Sequence, residues 1–219
     1  MDLIKKLAGK FIVLDGPDGS GKSTQLRMLA ESLAARKIDV HTTVDPGGTE
    51  IGQRIREILL SDSLKRMDVG CETLLFMASR AQLIGEVIEP AIQAGQVVLC
   101  DRFISATCAY QGARNVKIER ILDLGRYAVR ETWPDLTIII DIPAEDGLLR
   151  VQSRSTCTGG PASQPDAMES RPLAYHQKVR ELFLSLPGRY PGRVELIDGS
   201  GAPEQVHERV MEVISHVDF

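Results

Sequence analysis

Residues 16–24 read Gly16-Pro17-Asp18-Gly19-Ser20-Gly21-Lys22-Ser23-Thr24 and match G-x-x-x-x-G-K-[ST] at Gly16, Gly21, Lys22 and Ser23. The strand-length apolar run Phe11–Leu14 precedes them, and a helix-length pattern, Ser23–Arg36, follows. Glycines at these points let the backbone wrap so that several N–H groups face one anion. The helix N-terminus adds positive potential at the same place. Gly16–Thr24 as a whole is therefore expected to cradle the phosphates of ATP, with Lys22 reaching the β- and γ-phosphates and Ser23 offering its hydroxyl to Mg²⁺. A four-position pattern of this kind arises by chance in about one chain in a hundred of this length, and the strand-then-helix setting makes coincidence rarer. The motif does not choose between kinase, ATPase and GTPase. No N-K-x-D guanine-reading motif occurs in the chain, which turns the reading away from a GTPase switch.

Working outward, Val97–Cys100, Leu136–Ile140 and Val194–Ile197 are further short runs rich in Val, Ile and Leu, and Val40–Val44 is a weaker one. Helix-length patterns lie between them at Glu50–Leu60, Val69–Ala94, Ile118–Thr132, Ala144–Arg154, Leu173–Leu186 and Pro203–His216. Strands without polar alternation, separated by helical crossovers, predict a parallel sheet covered on both faces. Right-handed crossovers make it doubly wound, with ligands at the carboxyl ends of the strands. The fold class is thus α/β, a doubly wound parallel sheet flanked by helices, in a single domain spanning residues 1–219. One stretch, Ser155–Arg171, is rich in Ser, Gly, Thr and Pro. It reads either as a surface loop or as a lid over the site.

Composition narrows the function. The 219 residues carry a formal net charge of −4, which argues against a broad nucleic-acid surface but not against a local phosphate pocket. The four cysteines (Cys71, Cys100, Cys108 and Cys157) have no CxxC spacing, so zinc and a disulfide framework are not expected. No uncharged apolar run approaches the length of a membrane span, and the first residues are too short of apolar content for a signal segment. A cytoplasmic protein with no membrane or nucleic-acid partner is the reading.

Asp101-Arg102 closes the run Val97–Cys100. An acid at a strand's carboxyl end can hold Mg²⁺ and an arginine fork can bind phosphate, although the dipeptide taken alone reads rather as a surface ion pair. The segment continues through Phe103 and Thr107 into Ala109-Tyr110-Gln111-Gly112. Here the chain resembles the thymidylate kinases, whose segment typically reads D-R-Y, a few residues, then S-x-A-Y-Q-G. Pro46-Gly47-Gly48-Thr49, Leu75-Phe76-Met77-Ala78-Ser79-Arg80-Ala81, and Glu169 followed by Val179-Arg180-Glu181 are similar to that family too. The matches keep the family's order from about residue 10 to residue 200.

The resemblance implies a nucleoside monophosphate kinase using ATP and Mg²⁺, dTMP as acceptor, and a homodimer. It also implies roles. Phe76 and Arg80, four residues apart on one helix face, stack on the base and hydrogen-bond its edge. Thr107 and Gln111 address the base, an amide suiting the donor–acceptor edge of thymine. Asp45, Arg56 and Arg102 serve the acceptor side, Asp18 lies near the sugar, and Lys22, Arg102 and Asp18 form the catalytic set. Ser23 and Asp101 are the metal candidates. The bland readings place Phe76 in the core, Arg80 in a surface pair and Gln111 in a solvated loop.

The chain also departs from the family. Where members read T-R-E-P-G-G-T it has Thr43-Val44-Asp45-Pro46-Gly47-Gly48-Thr49, so Val44 stands for an arginine and Asp45 for a glutamate. The lid's usual Asp-Arg pair is Asp166-Ala167, and Ser20 supplies no substitute arginine in the cradle. Ser105 occupies the place of an aspartate and Ala106 that of a serine. Arg154 and Arg171, flanking the lid, are the nearest replacement guanidiniums. A kinase of another nucleotide or deoxynucleoside, and a nucleotide-binding regulatory protein with reduced turnover, are the alternatives.

Overall fold

The computed structural model describes residues 3–61, 67–158 and 171–219. Five strands, β1 (Phe11–Asp15), β2 (Val40–Val44), β3 (Val97–Asp101), β4 (Leu136–Asp141) and β5 (Arg193–Asp198), form one sheet in the order β2-β3-β1-β4-β5. Every pairing is parallel, with Phe11 opposite Val98 on one side and Ile12 opposite Leu136 on the other. The expected fold class is the observed one. From β1 the chain passes over to β2, and after β3 it crosses β1 to reach β4. Winding therefore reverses beside β1, and an open crevice lies at the carboxyl ends of β1 and β3.

Ten α-helical segments complete the described chain: α1 (Leu3–Leu7), α2 (Lys22–Ala34), α3 (Glu50–Leu60), α4 (Val69–Leu83), α5 (Glu89–Gln93), α6 (Ile104–Ala113), α7 (Ile118–Val129), α8 (Ala144–Thr158), α9 (Leu173–Leu184) and α10 (Pro203–His216). Alternate side chains of β1 feed two cores. Phe11 and Val13 pack with Val98, Cys100 and Ile139 beneath α4–α7 and α9. Ile12 and Leu14 pack with Leu99, Ile138 and Ile140 beneath α1, α2 and α10. Burial on both faces is why β1 reads as an unbroken apolar run. At the edges β2 and β5 are only half-buried, which explains their weaker patterns.

Three sequence-based boundaries change. The single helix expected over Val69–Ala94 is interrupted by a π-turn, Ile84–Ile88, just before Pro90. Proline has no N–H and its ring crowds the carbonyl four residues back, so one wider turn accommodates it. The helix α6, ten residues long, received no assignment from sequence. All of it except Ala106 is buried, so there is no polar face to mark its period. Finally, α8 runs to Thr158, so Ser155–Thr158 is helix and not open loop. The rest of the candidate lid, residues 159–170, lies outside the described residues.

Candidate functional site

The loop between β1 and α2 turns back on itself through left-handed glycines, Gly16, Gly19 and Gly21, with φ of 138°, 75° and 93°. A Cβ at Gly19 would collide with the carbonyl of Gly147 in α8, so side chains are excluded by contact as well as by dihedral. Lys22 is buried and curls over the loop, donating to the carbonyls of Gly16 at 3.1 Å and Pro17 at 2.8 Å. Burial, with help from the nearby Arg102 guanidinium, brings its ammonium down from 10.5 to about 8. An anion in the loop would reverse that pressure.

Two hard oxygens face each other beside this lysine. Ser23 Oγ donates to Asp101 Oδ2 at 2.6 Å, joining the first turn of α2 to the end of β3. No cluster of three or more His, Cys, Asp or Glu able to hold a metal ion occurs among the described residues. A hydroxyl and one carboxylate fit Mg²⁺, which keeps most of its water and takes phosphate oxygens as further ligands. The expected surface pair Asp101–Arg102 is not formed. Arg102, with φ of 69°, instead reaches Asp18 at 2.5 Å, Asp15 at 3.5 Å and the Tyr110 hydroxyl at 3.2 Å.

Burial alone would raise the Asp18 carboxyl, but Arg102 and Lys22 outweigh it and hold the group below the ordinary carboxylate range. Asp15 lies deeper, and there burial wins and pushes it up. Ser105, in the place of a family aspartate, donates its hydroxyl to Asp15 Oδ2 at 2.6 Å. A carboxylate in that position would face Asp15 directly, whereas a hydroxyl satisfies it. Sequence reasoning missed Asp15 and Tyr110 because nothing in their spacing shows that the fold folds them around Arg102.

Beside the cradle a second cleft is lined by Asp45, Arg56, Phe76, Arg80, Thr107 and Gln111, together with Asp18 and Arg102. Each acceptor residue expected from sequence is therefore brought to one place. The surroundings differ from the bland readings. Arg80 is only 1% exposed and lies in no surface pair: its Nη2 is 2.5 Å from Asp45 Oδ2 and 3.2 Å from Thr107 Oγ1, and its Nε donates to Asp45 at 2.6 Å. Among the described residues its Nη1 has only the thioether of Met77, at 3.4 Å. Gln111 is not in a solvated loop but is buried within α6. Arg56 donates to the Pro46 carbonyl at 2.9 Å. Burial pushes the Asp45 carboxyl up while Arg80 opposes it, and among the described residues Asp45 Oδ1 is enclosed without a partner.

The half-buried Val44 lines the phosphate cleft together with Lys22, Arg56 and Arg102. Where the resemblance implies a guanidinium, the chain presents methyl groups. Arg171 is not among the residues lining the cradle. Its guanidinium lies over the Tyr175 ring, 4.9 Å from the centroid, and Tyr175 donates to the Tyr110 carbonyl. Arg154 is in the last part of α8, and nothing is described of its side chain.

A third cavity, missed from sequence, lies beyond Gly19–Gly21 and is walled by Leu149, Arg150, Gly199, Gly201 and Pro203. Its sequence signal was available: Asp198-Gly199-Ser200-Gly201 follows a strand, at the carboxyl end where such sheets bind ligands.

The family model described as thymidylate kinase matches residues 14–210. A thymidylate kinase of an Exiguobacterium species is 40% identical over 207 residues, covering 94% of each chain. That of Pseudomonas entomophila is 43% identical over 195 residues, covering 89% of each. Among solved structures, thymidylate kinase from Ehrlichia chaffeensis superposes with a TM-score of 0.74 at 28% identity, covering 95% of this chain and 99% of that one. Matched by the family model over residues 14–210 and aligned to such relatives over nearly its whole length, the chain belongs to the thymidylate kinase family.

Proposed function

We propose that this protein transfers the γ-phosphate of ATP to dTMP, giving ADP and dTDP. The observation that carries the reading is that the phosphate cradle and the base-sized cleft adjoin and share Asp18, Asp45, Arg56 and Arg102, so anions bound on either side would be neighbours. On this reading the backbone of Gly16–Thr24 holds the donor phosphates and Lys22 follows the γ-phosphate. The adenosine of ATP extends into the cavity beside Arg150 and Gly199–Gly201. Ser23 and Asp101 would hold Mg²⁺, which when bound offsets charge on the donor phosphates.

On the acceptor side, Phe76 supplies a flat wall for the base, Arg80 Nη1 a donor to its edge, and Thr107 and Gln111 further polar contacts. Arg56 and Arg102 face the acceptor phosphate, whose oxygen attacks while the β–γ bridging oxygen leaves with ADP. Asp45 holds Arg80 in place and Asp18 holds Arg102, so both cations are fixed before the substrate arrives.

A coupled assay of ADP release across dTMP, dUMP, dCMP, dGMP and thymidine tests the proposal. The expected result is strong stimulation by dTMP. ATP binding with no acceptor-stimulated release would instead support a nucleotide-binding protein of low turnover, the reading that Val44 favours. A homodimer is also proposed, supported by Ile51 and Ile58 on α3 and Leu74 on α4, which are 51%, 43% and 56% exposed. Sedimentation at micromolar concentration tests it. A cytoplasmic location is proposed as well; among the described residues no helix is long and apolar enough to cross a membrane.

A further inference from the structure

The helices α4 and α6 run past each other so that polar side chains at two levels interlock. At one level, Arg80 meets Phe103 and Thr107. At the other, two turns earlier in α4, the buried Glu72 meets Gln111 and Arg114. Glu72, Phe76 and Arg80 recur every four residues and so share one face of α4. Arg80 and Phe76 line the acceptor cleft, but Glu72 does not. It sits behind Gln111, accepting from Gln111 Nε2 at 2.9 Å through Oε1 and from Arg114 through Oε2. Arg114 in turn donates to the Met67 carbonyl at 3.3 Å, tying the pair to the start of α4.

An ionised carboxylate only accepts hydrogen bonds, so it can face only the NH₂ end of the Gln111 amide. Among the described residues no group donates to Gln111 Oε1, and Gln111 lines the cleft. We propose that Glu72 is a positioning residue for base selection: it locks the Gln111 amide with its carbonyl toward the acceptor, so that the site prefers a base whose ring nitrogen carries a proton. Thymine offers N3–H to that carbonyl. Cytosine offers a lone pair at N3, which would face the carbonyl oxygen or force the amide to turn its oxygen against the Glu72 carboxylate. The pyrimidine preference is thus written one residue behind the cleft wall. The inference rests on the proposed acceptor reading.

The test is Glu72→Gln, whose amide can offer Gln111 either a donor or an acceptor and so releases the lock. Dissociation constants for dTMP and dCMP are measured by calorimetry without ATP, alongside ADP release with dTMP. The wild-type protein is expected to bind dTMP more tightly than dCMP. In the variant the ratio of the two constants should fall about tenfold to a hundredfold, the scale of one charge-assisted hydrogen bond. If Glu72→Gln does not fold, Glu72→Gln/Arg114→Gln removes both charges together and carries the same expectation. A purely structural Glu72 would weaken both nucleotides equally. An unchanged ratio, or a wild-type protein with no preference between the two, overturns the proposal. Selective dTMP binding without ADP release would overturn the kinase reading and leave the Glu72 role standing.

Discussion

The donor cradle and the acceptor cleft meet at Asp18 and Arg102 but are built in different ways. The cradle is one contiguous loop whose binding groups are mostly backbone N–H, and its single buried cation, Lys22, rests on nearby carbonyls. The second cleft is assembled from side chains of the β2–α3 connection, α3, α4 and α6, and its central cation, Arg80, is a fully buried member of an ion pair. A group of the first kind can be removed with little effect on the fold. A group of the second kind is also part of the core, so its loss is felt in stability before it is felt in binding.

Four substitutions or titrations break or sharpen that contrast. Lys22→Ala is expected to lower phosphoryl transfer about a thousandfold or more while the circular dichroism spectrum and melting temperature stay close to wild type. Retention of more than about a tenth of the turnover would mean that Lys22 does not act on the transferring phosphate. Arg80→Met should do the opposite. Leaving Asp45 buried and unpaired costs about 3–5 kcal/mol, read as a fall in the denaturation midpoint. Adding Asp45→Asn should restore part of that loss, and a double-mutant cycle measures the coupling. An Arg80→Met protein as stable as wild type would show that the pair is not structural.

Val44→Arg probes the boundary between the regions. Because Val44 lines the phosphate cleft beside Arg56 and Arg102, a guanidinium there should lower the dTMP KM about tenfold to a hundredfold and leave that for ATP nearly unchanged. A stable variant with unchanged dTMP KM would mean that this loop does not face an acceptor phosphate. The smallest effect is the titration of Lys22. Its folded value of about 8 lies below the ordinary 10.5, so between these values the unfolded chain holds a proton that the folded chain has lost. Folding stability therefore gains from Lys22 as pH rises across that window, and the gain is absent in Lys22→Ala. Bound phosphates restore the proton, so ATP affinity should fall above pH 8, by no more than about tenfold per pH unit. An affinity flat from pH 7 to 10 would show that the lysine stays charged in the free protein.

Much of this was legible in the residues. The strands were visible because central parallel strands are apolar on both faces, and Gly16–Thr24 was visible because a backbone cradle demands glycines at fixed spacing. Phe76 and Arg80 were legible as a helical pair. The helix α6 was not, since a segment buried on nearly every side shows no amphipathic period. Nor were the partners of the charged groups. Ser105 differs from the family residue at its position, yet only the folded chain shows that its hydroxyl meets Asp15.

The sequence by itself determined the fold class and the donor cradle, because each follows from local chemistry: apolar strand runs, glycine dihedrals, a helix N-terminus. The list of acceptor residues came from the family resemblance and not from their spacing. Tertiary structure alone decided which charge answers which. Arg102 turns to Asp18 and not to its neighbour Asp101, Arg80 closes on Asp45, and Glu72 sets the amide of Gln111. Those pairings join residues 35 and 39 positions apart, or more, and form where the packing of α4 and α6 near the ends of the central strands largely removes water from around the charges.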